Sequence, residues 1–151
     1  PKRRYYTRGH VAQTPTLGLH QARIARSGEE VTLICYGPMV DTCLEAAKEA
    51  SQEGRKLEVI DLRSLSPLDM ATVYESVRRT TRAIVVQEAP RTQGVGAEIA
   101  ARLGEELYYV MEAPVLRVTG WSTPYPPAKA EGEHIPDVDR ILDAVDRSLA
   151  F

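Results

Sequence analysis

The run Ala83-Ile84-Val85-Val86 is apolar, rich in β-branched side chains and free of polar alternation. Such a run reads as a short strand covered on both faces. Gln87-Glu88-Ala89-Pro90 and Arg91-Thr92-Gln93-Gly94-Val95-Gly96-Ala97-Glu98-Ile99 follow it. They read as a turn at the strand's carboxyl end and a helix entered through two glycines. Open α/β sheets bind ligands or partners at the carboxyl ends of their strands, so function is sought first at this turn.

The rest of the chain is arranged in register with that strand. Gln21-Ala22-Arg23-Ile24-Ala25-Arg26 and Val31-Thr32-Leu33-Ile34-Cys35-Tyr36 flank Ser27-Gly28-Glu29-Glu30, which predicts a hairpin of neighbouring antiparallel strands. From Pro38, residues Val40, Cys43, Leu44 and Ala47 recur at helical spacing, with Gly54 as the stop. Leu57-Glu58-Val59-Ile60-Asp61-Leu62 is the next strand. Ser66-Pro67-Leu68-Asp69 predicts a helix start with Ser66 as its cap, running to Arg78 and Arg79. The helix after Gly94 is expected to reach Met111, and Val115-Leu116-Arg117-Val118 forms the last strand. Residues 120–136 hold Thr123-Pro124-Tyr125-Pro126-Pro127 and read as an extended strap. Pro136 opens a terminal helix with Val138, Ile141, Leu142, Val145 and Leu149 as its buried stripe. Strand and helix alternate after the opening pair, which predicts parallel strands with right-handed crossovers. The fold class is a three-layer α/β/α domain on a mixed five-stranded sheet with one antiparallel strand.

Length and charge bound the function. One domain of 151 residues buries roughly two thirds of its unfolded surface. Nineteen Lys and Arg against 21 Asp and Glu give a net charge of −2, with no general attraction to nucleic acid or anionic lipid. No apolar run approaches the ~18 residues of a membrane span. Cys35 and Cys43 fall on apolar positions, which predicts buried thiols and a reducing, cytoplasmic setting. Residues 1–20 interleave Lys2, Arg3, Arg4 and Arg8 with Tyr5 and Tyr6 and lack a core pattern. They are expected to be a linker from an amino-terminal domain, with 21–151 forming the folded unit.

Candidate chemistry is thin. Gly94-x-Gly96 before a helix invites a dinucleotide reading, but Ile99 stands where the fingerprint needs Gly or Ala, and Glu98 opposes a phosphate. The two glycines read instead as permitting a tight turn and the approach of another chain. Ile99, Leu103 and Leu107 should face the sheet, while Ala97, Ala100 or Ala101, and Gly104 form a second stripe of small residues. That stripe packs either on a neighbouring subunit or inside the domain. Glu88 with Arg91 reads as an ion-pair anchor for the turn, ahead of a general acid or base. His10, His20 and His134 lie in irregular segments without HxxxH or CxxC spacing, and no Ser or Cys has a base at a recognisable spacing. No catalytic, cofactor-binding or metal-binding residue is expected in this chain.

Together these segments resemble the carboxyl-terminal domain of the beta subunit of thiamine diphosphate-dependent 2-oxoacid dehydrogenases, and more distantly that of transketolase. The resemblance is carried by Val59-Ile60-Asp61-Leu62-Arg63-Ser64-Leu65-Ser66-Pro67-Leu68-Asp69, Val86-Gln87-Glu88-Ala89-Pro90, Gly94-Val95-Gly96-Ala97-Glu98-Ile99-Ala100-Ala101 and Glu112-Ala113-Pro114-Val115-Leu116-Arg117-Val118-Thr119-Gly120. Two positions depart from it: the family often has His at Gln87, and Asp at Ser122. Glu88-Ala89-Pro90-Arg91-Thr92 and Thr123-Pro124-Tyr125-Pro126-Pro127 look more like the branched-chain than the pyruvate enzymes.

The resemblance implies a parent enzyme that oxidatively decarboxylates a 2-oxoacid and passes the acyl group to a lipoyl-bearing acyltransferase. It places thiamine diphosphate and Mg between the alpha subunit and the beta subunit's amino-terminal domain. This domain would serve assembly, contacting a second beta subunit and the acyltransferase's binding domain. Glu88, Arg91, Gly94, Gly96, Ala97, Gly104 and Phe151 are the interface candidates. Phe151 and its carboxylate either help form the acyltransferase docking surface or fill a groove of their own domain. A transketolase-like carbon–carbon transfer enzyme and a nucleotide- or regulator-binding module are the alternatives.

Overall fold

The structure, a computed structural model, describes residues 8–10 and 17–151. The linker expected over residues 1–20 therefore lies mostly outside the described residues. The stretch at residues 18–21 is held to the domain: Arg63 Nη1 donates to the Gly18 and Gln21 carbonyls at 2.9 and 2.8 Å.

Among the described residues, five strands and four longer helices follow in the expected alternation. They are β1 (Arg23–Arg26), β2 (Val31–Cys35), α1 (Met39–Gln52), β3 (Leu57–Asp61), α2 (Met70–Thr80), β4 (Ala83–Pro90), α3 (Val95–Leu107) and β5 (Leu116–Gly120). A short 3-10 turn (Ala128–Ala130), the single-turn α4 (Glu131–His134) and α5 (Val138–Leu149) complete the chain. The strap over 120–136 is thus extended only in its proline-rich part. The α3 helix stops at Leu107 rather than Met111, where the Val110 and Met111 N–H groups both turn back onto the Leu107 carbonyl.

The sheet order is β1-β3-β2-β4-β5, with β1 antiparallel and the other four parallel. Side chains of the central strands alternate between two apolar layers. Leu33, Val59, Ile84 and Val86 meet α1 and α5, while Ile34, Ile60 and Val85 meet α2 and α3. This is the three-layer mixed sheet expected. Ile99, Leu103 and Leu107 face the sheet as predicted, each at most 1% exposed.

The hairpin expectation is corrected. β1 runs antiparallel to β2 but does not touch it, because β3 lies between them. Residues 27–30 step over the amino end of β3, and the Glu29 and Glu30 N–H groups donate to the Lys56 carbonyl at 2.9 and 3.1 Å. Four residues can span ~13 Å, enough to cross one strand spacing of ~4.8 Å or two, so local sequence allows either arrangement.

The α2 cap is corrected as well. The helix begins three residues past the expected point, and Asp69 rather than Ser66 is its cap. The Asp69 carboxylate accepts from Thr72 N at 3.2 Å, Thr72 Oγ1 at 2.7 Å and Ala22 N at 2.9 Å, so one side chain caps α2 and fixes the entry to β1. Burial pushes this carboxyl upward, but the Thr72 hydroxyl and the two N–H groups outweigh it and hold it below its usual value. Asp69→Ala is expected to cost about 1–2 kcal/mol, or roughly 2–8 °C in thermal midpoint. A lowered folded value means that the contribution is present above about pH 3.9 and lost as pH falls through that lowered value. The difference in midpoint between wild type and variant should therefore close in acid.

Candidate functional site

The sheet order reverses between β2 and β4, the position at which doubly wound sheets open a crevice at their carboxyl ends. Tyr36 leaves β2 there, and Gln87 and Glu88 stand across from it on β4. Burial pushes the Tyr36 hydroxyl up, and the negative charge of Glu88 adds to it. Arg91, four residues beyond Gln87, does not pair with Glu88. Its guanidinium donates to the Arg117 carbonyl at 3.3 Å, and Arg117 returns a bond to the Arg91 carbonyl at 3.1 Å. β4 continues extended to Pro90, so side chains three apart are thrown to opposite faces rather than together as on a helix. The ion-pair anchor is therefore not formed.

Gln87 is the anchor instead, a role that sequence reasoning missed. It is fully buried. Its carboxamide donates to the Pro90 carbonyl at 2.8 Å and the Ala89 carbonyl at 3.3 Å, and accepts from Gly96 N at 2.7 Å. The glycines are needed for this contact: a Cβ on Gly94 would lie 2.1 Å from Gln87 Nε2, and one on Gly96 2.8 Å from Gln87 Oε1. Close approach at the two glycines is as expected, but the group that approaches is this chain's own side chain. The helix entrance that a phosphate would need is filled by that carboxamide. Among the described residues no group of three His, Cys, Asp or Glu side chains could hold a metal ion. A helix entrance filled by the Gln87 carboxamide, with no such metal-ligand group among the described residues, does not fit thiamine diphosphate or its metal.

The interface candidates fall at two ends of the molecule. Glu88, Arg91, Gly94, Gly96 and Ala97 gather at the carboxyl end of β4. Gly104 lies further along α3, exposed, and a Cβ there would meet nothing within 4 Å. It floors a groove of about 610 Å³ with Ala100, Tyr108, Met111, Pro114 and Val115. The rim is apolar and exposed: Tyr108 is 72% and Tyr109 97% accessible, their rings in an edge contact at 5.1 Å. Phe151, 72% exposed, fills no groove of its own domain. Arg82 joins the end of α5, beside Phe151, to the Gly104 groove, with Nε donating to the Ser148 carbonyl at 3.1 Å and Nη1 bound to Glu112 at the groove's edge. No helix among the described residues is long and apolar enough to cross a membrane.

Comparison with known proteins places this geometry. The chain is 52% identical to the pyruvate dehydrogenase E1 component subunit beta of Leifsonia xyli, covering 100% of this chain and 45% of that protein. It is 50% identical to the 3-methyl-2-oxobutanoate dehydrogenase subunit beta of Mycobacterium tuberculosis, over 99% of this chain and 43% of that protein. It spans a little under half the length of these curated relatives. Among solved structures, a split-gene transketolase in an inactive beta4 tetramer superposes with a TM-score of 0.79 at 27% identity, covering 93% of this chain and 45% of that one. The transketolase C-terminal domain family matches residues 20–141, the span from just before β1 into α5. The chain belongs to the transketolase C-terminal domain family.

Proposed function

We propose that this chain is the assembly domain of the beta subunit of a 2-oxoacid dehydrogenase. The parent enzyme decarboxylates a 2-oxoacid oxidatively and hands the acyl group to a lipoyl-bearing acyltransferase, with thiamine diphosphate and Mg held outside this domain. The single observation that carries the reading is the 50–52% identity to proteins named as beta subunits, over nearly the whole of this chain. The two relatives differ in the named substrate, one pyruvate and one 3-methyl-2-oxobutanoate. A branched-chain 2-oxoacid is favoured by the turn Glu88-Ala89-Pro90-Arg91-Thr92 and by Thr123-Pro124-Tyr125-Pro126-Pro127. A cytoplasmic setting agrees with two buried cysteines that form no disulfide.

Within that assembly, the open Gly104 groove and the Tyr108–Tyr109 rim are the contact for a second beta subunit. Exposed aromatics beside a small-residue helix face allow close approach and a dry centre, the composition of energetic hot spots. Phe151, an exposed aromatic at the same end of the molecule, is the contact for the acyltransferase's binding domain. The alpha subunit and the cofactor belong to the rest of the beta chain.

Gly104→Leu projects into the groove from a position where a Cβ meets no atom within 4 Å, and it removes a helical glycine, so its thermal midpoint should hold or rise slightly. Its mass by light scattering should fall to that of a monomer while the wild-type chain self-associates. An unchanged mass would remove Gly104 from the interface. Decarboxylation assays on the beta subunit co-expressed with its alpha partner, with 3-methyl-2-oxobutanoate and pyruvate in competition, decide the substrate.

A further inference from the structure

A second groove, of about 320 Å³, lies between the edge strand β5 and α5. Arg91, Arg117, Arg140, Arg147, Asp143 and Trp121 line it. Four guanidinium groups against one carboxylate reverse the balance of a chain whose net charge is −2. The basic groove beside Gly28 offers a contrast, because three of its four cations, all but Arg26, are paired with carboxylates. There Arg79 meets Glu58 at 2.9 Å, Arg55 meets Asp146 at 2.7 Å and Lys56 meets Glu29 at 2.9 Å. In the β5 groove only Arg147 reaches a carboxylate, Asp143, at 3.7 Å.

The other three arginines donate to main-chain carbonyls. Arg91 and Arg117 bond each other's carbonyls, and Arg140 Nη2 donates to the Thr119 carbonyl at 2.6 Å. The Arg117 and Thr119 carbonyls are two residues apart, hence on one side of the strand. Capping those carbonyls blunts a sheet edge and accounts for a donor at each. It does not account for three cations converging without a counter-charge, since like charges in one groove repel. Each guanidinium carries five N–H donors and spends few of them here. Arg140 Nη1 is buried and finds no acceptor among the described residues. Arg140 also rests on the Trp121 ring at 4.6 Å, and that ring is itself held by its Nε1–H bond to the Glu133 carbonyl at 2.9 Å. The forks are thus positioned before any ligand arrives, which lowers the ordering cost of binding.

We propose that this groove binds a small anion carrying two or more phosphate or carboxylate groups. Planar guanidinium forks match both oxyanions bidentately, and their convergence rewards a ligand with more than one such group. The test is calorimetric titration of the chain with pyrophosphate and, separately, with citrate, at ionic strength held constant with sodium chloride. Saturable one-to-one binding of at least one anion is expected, with a dissociation constant on the order of 1 mM or lower. Arg117→Gln and Arg140→Gln should each weaken it roughly tenfold or more, while Lys56→Gln in the groove beside Gly28 should leave it unchanged. Binding of pyrophosphate alone assigns a phosphate ligand, and binding of citrate alone a carboxylate ligand. Should Arg140→Gln lower the thermal midpoint, Arg117→Gln carries the same readout. Saturable binding of neither anion, or an equal loss in Lys56→Gln and Arg117→Gln, overturns the proposal.

Discussion

Gly28→Ala is expected to destabilise the chain by about 3–5 kcal/mol, the scale of a severe overpacking combined with lost main-chain hydrogen bonds. An added Cβ at Gly28 would lie 2.2 Å from both Glu58 N and the Leu57 carbonyl carbon, and 2.6 Å from the Leu57 oxygen. These are backbone atoms inside the sheet, so no rotamer change relieves the overlap. Non-bonded carbons rest at ~3.5–4.0 Å, so the crossover must lift by more than an ångström. Lifting it strips the Lys56 carbonyl of its bonds from Glu29 and Glu30, and Glu58 Oε2 of its 3.4 Å contact with Gly28 N. β1 then loses the tether that carries it past β3. Gly104→Ala is the matched control, since its new Cβ meets nothing and removes a helical glycine, a gain of up to about 1 kcal/mol. Urea unfolding of the pair should give changes of opposite sign. A Gly28→Ala midpoint within error of wild type would show that the crossover is not seated against β3.

The same loop marks where sequence stopped being informative. β2, β3, β4 and β5 were legible because each is an apolar run between turn residues, and the helices because their apolar positions recur at helical spacing. Strand adjacency was not, because Ser27-Gly28-Glu29-Glu30 is compatible with either one or two strand spacings. The choice is made by Leu57 and Glu58, some thirty residues on. Glu58 was itself a missed signal. A carboxylate within a doubly covered strand must be paired, and it is: fully buried, it takes two bonds from Arg79 Nη2 at 2.9 and 3.0 Å and a third from the Ser76 hydroxyl. The candidate interface residues do not fall in one place: α3 carries Ala97 at one end of the sheet and Gly104 toward the other. The arginines of the β5 groove come from three separate segments, and no spacing in the sequence announces them.

Gln87→Ala should cost about 3–4 kcal/mol, because Gln87 performs a task that belongs to the start of a helix but sits eight residues before it. The first N–H groups of a helix lack internal partners. The residue before α3 is Gly94, which has no side chain to offer, and no side-chain cap bond is made there. Gln87 reaches from β4 and accepts from Gly96 N, while its amide group gathers the Ala89 and Pro90 carbonyls. Truncation leaves the buried Gly96 N–H unpaired, at about 1–3 kcal/mol, and frees the part-buried Pro90 carbonyl, beside a new cavity. A neutral imidazole has one donor and one acceptor, so Gln87→His can serve Gly96 N and the Pro90 carbonyl together and should lose less than Gln87→Ala. Gly94→Ala completes a double-mutant cycle. Alone it drives a methyl to 2.1 Å from Gln87 Nε2; with Ala at position 87 that clash is gone and only the 2.6 Å approach to the Pro90 carbonyl remains. The two losses should therefore fall short of adding, by roughly 1 kcal/mol or more. Strict additivity would mean that the glycine turn and the glutamine are independent, and the anchor at the end of β4 would have to be sought elsewhere.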